Sequence, residues 1–262
     1  MPRTLAGWYV ISLRPSGQHG GVRRAAAKRG ARVFALSTLR LEALPSAALE
    51  RALACPWMIA TSPAAVHYAL AKAAPARAQR WFAPGPGTAA ALRRRGVAQV
   101  SIPADGHDSQ HLLALPDLCA PGGRAIGLLT APGGRDRIAP VLRGRGADVR
   151  RADVYERMVV PVSTRAVAAL RALAAPAWLA LGSGQALDAV LAQLPDDARR
   201  RLRETRVAAA SPRLAQLAQA HGFAAVAVAA SAVPRDLVAA IAADASASMR
   251  ASRPGAATRG HS

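Results

Sequence analysis

The sequence predicts an α/β protein of two similar domains, each a parallel sheet flanked by helices, joined by a two-stranded hinge. Three observations predict it. Short apolar runs alternate with helix-period segments along the chain, the pattern of parallel strands with helices on both faces. That pattern also repeats: Trp57-Met58-Ile59-Ala60-Thr61-Ser62-Pro63 parallels Trp178-Leu179-Ala180-Leu181-Gly182-Ser183-Gly184. Likewise Arg29-Gly30-Ala31-Arg32-Val33 parallels Arg145-Gly146-Ala147-Asp148-Val149, and Gly85-Pro86-Gly87-Thr88 is loosely matched by Ala210-Ser211-Pro212. Finally, 262 residues hold two domains of ordinary size. An alanine-rich composition with 4% aromatics suits helices packed closely on sheets and argues against an all-β protein.

Six strand–turn–helix units follow from apolar runs punctuated by glycine or proline. The first has a strand at 8–13, the turn Pro15-Ser16-Gly17, a helix at 22–29 and a strand at 33–36. The second begins with a strand at 57–60 and a helix at 64–71. The third has strand 81–83, helix 88–95 and strand 99–102. In the fourth, strand 125–129 and loop 130–134 precede helix 135–143 and strand 148–154. The fifth is strand 178–181 with helix 185–194, and the sixth strand 207–209, helix 213–220 and strand 224–228. A last helix spans 234–243. The repeats equate unit one with four, two with five and three with six.

Residues 1–38 with 161–245 are thus expected to form a discontinuous first domain, and 39–156 the second. Segments 37–43 and 154–162 are β-like and predict strands running side by side as the hinge. From 246 to 262, Ser, Arg, Gly and Ala without periodicity predict a disordered tail. Two facing α/β domains enclose a cleft, and ligands bind in such clefts.

Bulk properties bound the function. No stretch reaches the roughly 18 apolar residues of a membrane span, and the apolar run before Arg14-Pro15 is too short for a signal peptide. A cytoplasmic protein is expected. Cys55 and Cys119 lie far apart outside any metal-binding spacing, so neither a disulfide nor a metal site is expected. The formal charge of +20 comes almost wholly from arginine, with Lys28 and Lys72 the only lysines. Such a field attracts polyanions, and arginine's planar fork binds carboxylates bidentately. Codon choice in a GC-rich genome accounts for the same composition, so charge alone decides nothing.

Candidate chemistry sits at the strand ends. Pro15-Ser16-Gly17, Thr61-Ser62-Pro63, Gly85-Pro86-Gly87-Thr88, Ala131-Pro132-Gly133-Gly134, Gly182-Ser183-Gly184 and Ser211-Pro212 each start a helix. In open parallel sheets ligands bind at carboxyl ends of strands, where helix N-termini offer unpaired N–H groups to anions. Each turn is equally a plain N-cap; several around one cleft point to a multiply anionic ligand. Dinucleotide, phosphate-loop, metalloprotease and serine-hydrolase motifs are absent. His107 and His111 are read as surface residues. Tyr155, in Asp153-Val154-Tyr155-Glu156-Arg157, stands where the chain returns between domains. A phenol there acts as a hydrogen-bond donor to a reacting group or simply packs.

Together these residues resemble the uroporphyrinogen-III synthase family over nearly the whole chain. Thr61-Ser62-Pro63-Ala64-Ala65-Val66 is similar to that family's Thr-Ser-x-x-Ala-Val turn. Gly85-Pro86-Gly87-Thr88-Ala89-Ala90-Ala91-Leu92 is similar to its Gly-x-x-Thr-Ala-x-x-Leu helix start. Ser109-Gln110-His111-Leu112-Leu113 resembles Ser-Glu-x-Leu-Leu, with Gln110 for Glu. Gly133-Gly134-Arg135, Arg145-Gly146-Ala147, Val154-Tyr155-Glu156-Arg157, Ser183 and Ser211-Pro212-Arg213-Leu214 complete the series in order. Leu13 and Gly182 stand where the family usually has Thr, which removes hydroxyls but no backbone N–H.

The resemblance implies a cofactor-free lyase of haem biosynthesis that cyclises hydroxymethylbilane, an eight-carboxylate tetrapyrrole, and inverts its D ring. Loss of the ring A hydroxyl gives an azafulvene, which attacks the substituted α-carbon of ring D. A spirocyclic pyrrolenine forms, fragments and recloses. Because the bilane closes unaided to the uninverted isomer, the protein's task is orientation. The resemblance further implies a catalytic role for Tyr155 and substrate contacts from Arg14, Thr61, Ser62, Gly87, Thr88, Ser109, Gly133, Arg135, Ser183 and Ser211. It implies a monomer with no nucleic acid or membrane partner. Two other classes compete: a basic nucleic-acid-binding protein, without any recognition motif or aromatic interleaving, and a two-lobed anion-binding module without catalysis.

Overall fold

The computed structural model describes residues 4–71, 73–133 and 136–251, and its elements follow the alternation of apolar run and helix start. The first segment forms β1 (Tyr9–Ser12), α1 (Gly20–Ala27), β2 (Arg32–Ala35) and β3 (Leu39–Ala43). Then come α2 (Leu49–Leu53), β4 (Trp57–Ala60), α3 (Pro63–Ala69), β5 (Arg80–Phe82), α4 (Pro86–Arg93) and β6 (Val100–Ser101). The middle of the chain gives α5 (Ser109–Leu113), α6 (Pro116–Cys119), β7 (Ala125–Thr130), α7 (Ile138–Gly144), β8 (Asp148–Asp153) and β9 (Tyr155–Val159). The remainder is α8 (Thr164–Arg171), β10 (Ala177–Leu181), α9 (Gly184–Gln193), α10 (Asp196–Arg203), β11 (Arg206–Ala209), α11 (Pro212–Ala220), β12 (Val226–Val228) and α12 (Pro234–Ala251). None of the described helices is long and apolar enough to cross a membrane.

Met1–Arg40 with Met158–Ser262 make one unit and Leu41–Arg157 the other. β3 and β9, which carry the chain from one to the other and back, pair as a two-stranded sheet. Each unit holds a five-stranded sheet, in the orders β12-β11-β10-β1-β2 and β6-β5-β4-β7-β8, with neighbouring strands parallel. Exchanging each strand of one sheet for its repeat partner reproduces the other order. β10 stands for β4, β1 for β7, and the rest follow outward. The sequence repeat is therefore a repeat of topology.

A parallel sheet is covered on both faces, so its strands are apolar on both sides. In the discontinuous unit Ile11, Leu179 and Leu181 pack into one core layer, and Val10, Trp178 and Ala180 into the opposite one. In the contiguous unit Met58 and Ala60 face one layer, and Trp57 and Ile59 the other. Helix starts obey capping chemistry. Ser62, Ser163, Ser183 and Ser211 each accept from a backbone N–H three residues on, and Pro63 and Pro212 occupy first helical positions, where a missing N–H costs nothing.

The Arg-Gly-Ala repeat is a helix stop followed by a strand start. Gly30 and Gly146 adopt φ of +83° and +82°, a region open to glycine. Ala31 and Ala147 then donate back to Ala26 and Leu142 at 3.1 and 3.0 Å, closing the same C-terminal motif on α1 and α7.

Three sequence readings are corrected. α7 starts at Ile138 rather than at 135, because Arg137 supplies no capping side chain and Ile138 is the first of its residues to be buried. α12 continues past Ser246 to Ala251, since Ala245 is buried and the Ser246 hydroxyl donates to the Ala242 carbonyl within the helix (2.8 Å). The rest of the expected tail, 252–262, lies outside the described residues. α10 escaped the periodicity reading because it buries only Ala198 and Leu202 and is otherwise charged; acids in its first turn and arginines in its last favour it through the helix dipole.

Beyond β1, the chain is pinned by a buried histidine. The His19 ring lies 3.0 Å from Ser12 Oγ through Nδ1 and 2.7 Å from Ser37 Oγ through Nε2. The Ser37 hydroxyl donates to the Arg14 carbonyl (2.7 Å), so it accepts from His19 Nε2–H, and Ser12 O–H donates to Nδ1. The direction at Ser12 holds for the neutral imidazole, which the surroundings favour. Burial lowers the His19 pKa, and the charges of Arg23 and Arg14 lower it further.

The packing around Gly127 and the relay at His19 can each be tested. A Cβ on Gly127 would fall on the Ala52 carbonyl oxygen and lie 2.7 Å from Met58 Sδ, whereas one on Gly144 meets nothing within 4 Å. Chemical denaturation of Gly127→Ala is expected to show a loss of about 2 kcal/mol from overpacking, and Gly144→Ala a gain of up to about 1 kcal/mol. For His19, the folded pKa lies below the unfolded value near 6.5. The unfolded chain therefore binds protons first, and the stability present above about pH 6.5 is lost as pH falls through the folded value. Between about pH 7.5 and 5 the Tm of the native protein should fall more steeply than that of His19→Gln; equal slopes would refute the neutral relay.

Candidate functional site

The contiguous unit carries a cavity of about 300 Å³ at the carboxyl ends of its central strands, lined by Thr61, Ser62, Ser109, Arg151, Tyr155 and Arg157 among others. β4 is buried along its length and ends at Ala60, so Thr61 is the first residue free of the sheet interior. Its hydroxyl lies 3.1 Å from Thr130 Oγ1 and 3.3 Å from the Leu129 carbonyl, which ties the ends of β4 and β7 together. Ser62 caps α3, accepting from Ala65 N–H at 3.1 Å.

Tyr155 opens β9 with only 2% of its surface exposed. Tyr68 stacks on it, ring centroids 5.6 Å apart and planes 17° apart, and is itself fixed by donation to the Leu41 carbonyl (2.8 Å). The Tyr155 phenol lies 3.1 Å from Ser62 Oγ and accepts from Arg157 Nη2 at 3.0 Å. Because the guanidinium is a donor only, the phenol's own proton points toward Ser62 or into the cavity. A cationic donor on the phenol oxygen polarises that O–H bond, so the group is built to donate.

Arg151 and Asp153 are two apart on β8 and share a face. Nε and Nη2 of Arg151 each donate to Asp153 Oδ1 at 3.0 Å, and Nη1 donates to Asp136. Burial works against the Arg151 charge, but the hydrogen bonds and charges of Asp153 and Asp136 raise its pKa overall. Asp108, also on the cavity wall, faces its own helix. Its Oδ1 accepts from the N–H groups of Gln110 and His111 and lies 2.8 Å from His111 Nδ1. Burial pushes this carboxyl up, and the His111 and Gln110 donors pull it net below its ordinary value.

Of the sequence-derived site residues, Tyr155, Thr61, Ser62 and Ser109 line this one cavity. Gly87 and Thr88 sit in the first turn of α4, with Thr88 buried, and Gly133 takes a φ of +73° in the turn after β7; none of the three lines it. Arg135 lies outside the described residues. Arg14, Ser183 and Ser211 belong to the discontinuous unit. There Arg14 Nη2 donates to the Ala232 carbonyl (2.8 Å) and burial lowers its pKa. Ser183 and Ser211 cap α9 and α11. His107, read as a surface residue, is exposed and also lines the cavity, lying against Gly85, where a Cβ would come within 3.0 Å of it. Arg151, Arg157 and Asp136 were missed. Alternate positions from Arg151 to Arg157, flanking Tyr155, were the available signal.

The uroporphyrinogen-III synthase HemD family model matches residues 22–239. Among curated relatives, the chain is 30% identical over 144 residues to uroporphyrinogen-III synthase of Escherichia coli, covering 55% of this chain and 58% of that one. It is 36% identical over 80 residues to that of Salmonella typhimurium, covering 30% and 32%. The matched stretches thus span little more than half of one relative and a third of the other. In fold, the chain is similar to a mutant uroporphyrinogen III synthase from Thermus thermophilus (TM-score 0.58, 19% identity, 92% of this chain and 99% of that one). It is similar to the Helicobacter pylori enzyme as well (0.59, 13% identity, 90% and 98%). With the family model covering most of its length, the chain belongs to the uroporphyrinogen-III synthase family.

Proposed function

We propose that the protein is a uroporphyrinogen-III synthase, closing hydroxymethylbilane with inversion of ring D through a spirocyclic intermediate. The observation that carries this reading is the Tyr155 phenol, buried at the wall of a strand-end cavity and polarised by Arg157. On this reading Tyr155 assists departure of the ring A hydroxyl by donating a hydrogen bond to its oxygen. Ser62 holds the phenol's direction while no substrate is present. The stacked Tyr68 keeps the ring from turning.

The remaining barrier is one of choice between two ring D carbons, which orientation decides. Thr61, Ser62 and Ser109 are assigned substrate contacts in the cavity, and Gly87, Thr88 and Gly133 contacts through backbone N–H groups at helix starts and turns. Arg14, Arg135, Ser183 and Ser211 are assigned substrate contacts on the family resemblance. The protein acts in this reading as a cytoplasmic monomer on a polyanionic small molecule, and its +20 charge steers that molecule in.

Supplied with hydroxymethylbilane, the protein is expected to give the type III isomer on chromatography; type I alone would refute the assignment. Tyr155→Phe should lower kcat by about two orders of magnitude, the usual scale for a positioned proton donor, with full rate and selectivity sinking its role. Raising salt from about 0.05 to 0.5 M should raise the apparent KM, since steering of a polyanion is screened. A flat KM would assign the arginine excess to codon choice.

A further inference from the structure

Resting on the synthase reading, we propose that Arg151 is a receptor for one substrate carboxylate and that Asp136 occupies it in the free protein until substrate displaces it. The two partners of Arg151 are unequal. Asp153 lies on the same strand two residues away, and its Oδ1 takes both Nε and Nη2 at 3.0 Å, fixing the plane of the guanidinium. Nη1 is left aimed at Asp136, and both side chains line the cavity that holds Tyr155, Ser62 and Arg157. The Asp136 side chain is 56% exposed, against 30% for Asp153. An exposed pair of this kind is weak and screened by salt, so Asp136 is the partner that gives way.

The chemistry of the ligand explains why such an arrangement is useful. A polyanion entering this cavity meets Asp108 and Asp136. The Asp108 charge is met by the α5 N–H groups and His111. The Asp136 charge is met by Arg151 and would repel an incoming carboxylate. Exchange of one carboxylate for another keeps the guanidinium paired at every stage, because the fork held by Asp153 is already oriented. Anions that offer a single weakly placed charge do not displace Asp136, which makes the pair a filter for multiply charged substrates. The competing account is a clamp that merely holds the approach to α7 against β8.

Steady-state kinetics with hydroxymethylbilane and titration with uroporphyrin III, an eight-carboxylate fluorescent probe that needs no turnover, distinguish the two. Asp136→Asn should lower KM and the probe's Kd by about threefold, the worth of an exposed ion pair. Arg151→Gln should raise both by about tenfold, and Arg151→Lys, which keeps charge but loses the fork, should lie between. Constants unmoved or raised in Asp136→Asn, together with a lowered Tm, would overturn the proposal in favour of the clamp. Should Arg151→Gln fail to fold, the Asp136→Asn result decides alone. A wild-type protein that forms no type III isomer yet binds the probe in this order overturns the synthase reading only. One that forms it with constants indifferent to both substitutions overturns the receptor only.

Discussion

Everything in each unit depends on covering both faces of a parallel sheet. β4 and β10 are buried on both sides, so neither strand can carry a polar group along its length without losing a hydrogen-bond partner. Chemistry is therefore pushed to where the strands end. The same demand explains Gly127: α2 approaches β7 so closely that a methyl group has no room. It also suits arginines at the rims of the sheets, with Arg206 at the start of β11 over Trp178 and Arg124 just before β7 over Trp57.

At the strand ends, residues required by helix physics acquire a second task. Ser62 caps α3 through its oxygen and meets the Tyr155 phenol with the same atom. Asp108 caps α5 and meets its charge with the N–H groups of Gln110 and His111 while standing on the cavity wall. β9 contributes two side chains two residues apart, Tyr155 and Arg157, and β8 contributes Arg151 and Asp153 in the same way. Strand periodicity thus adds a polar wall to the one that turns and helix starts supply.

Much of this was legible in the sequence. The Trp57 and Trp178 segments announced the central strands, and Arg-Gly-Ala announced the turn that closes α1 and α7, because each is a local requirement written in adjacent residues. Thr61 and Ser62, expected from the turn after β4, and Tyr155, expected from its place where the chain returns between domains, all line the cavity. Arg151, Asp136 and Arg157 were not recognisable, since one arginine among so many others becomes distinctive only when folding sets a carboxylate or a phenol beside it. His19 was invisible likewise: its partners Ser12 and Ser37 lie on separate strands or loops. α10 and the end of α12 were hidden because charge or small residues mask helical period. Gly87 and Thr88, in the first turn of α4, do not line the cavity, because a motif's position in sequence says little about which surface it faces.

The order of strands has a consequence for how the molecule comes into being. β4 through β8 are contiguous, so that sheet has all its strands once Asp153 has been synthesised. β1, in contrast, must wait for β10, its partner from Tyr9↔Ala177 to Ser12↔Ala180, and leaves the ribosome long before it. Until then the side of β1 that β10 covers has no partner, and bare strand edges recruit neighbours. The first forty residues carry eight basic and no acidic side chains, so like charge flanks that edge. Like charge of this density thus opposes the pairing of that segment with copies of itself.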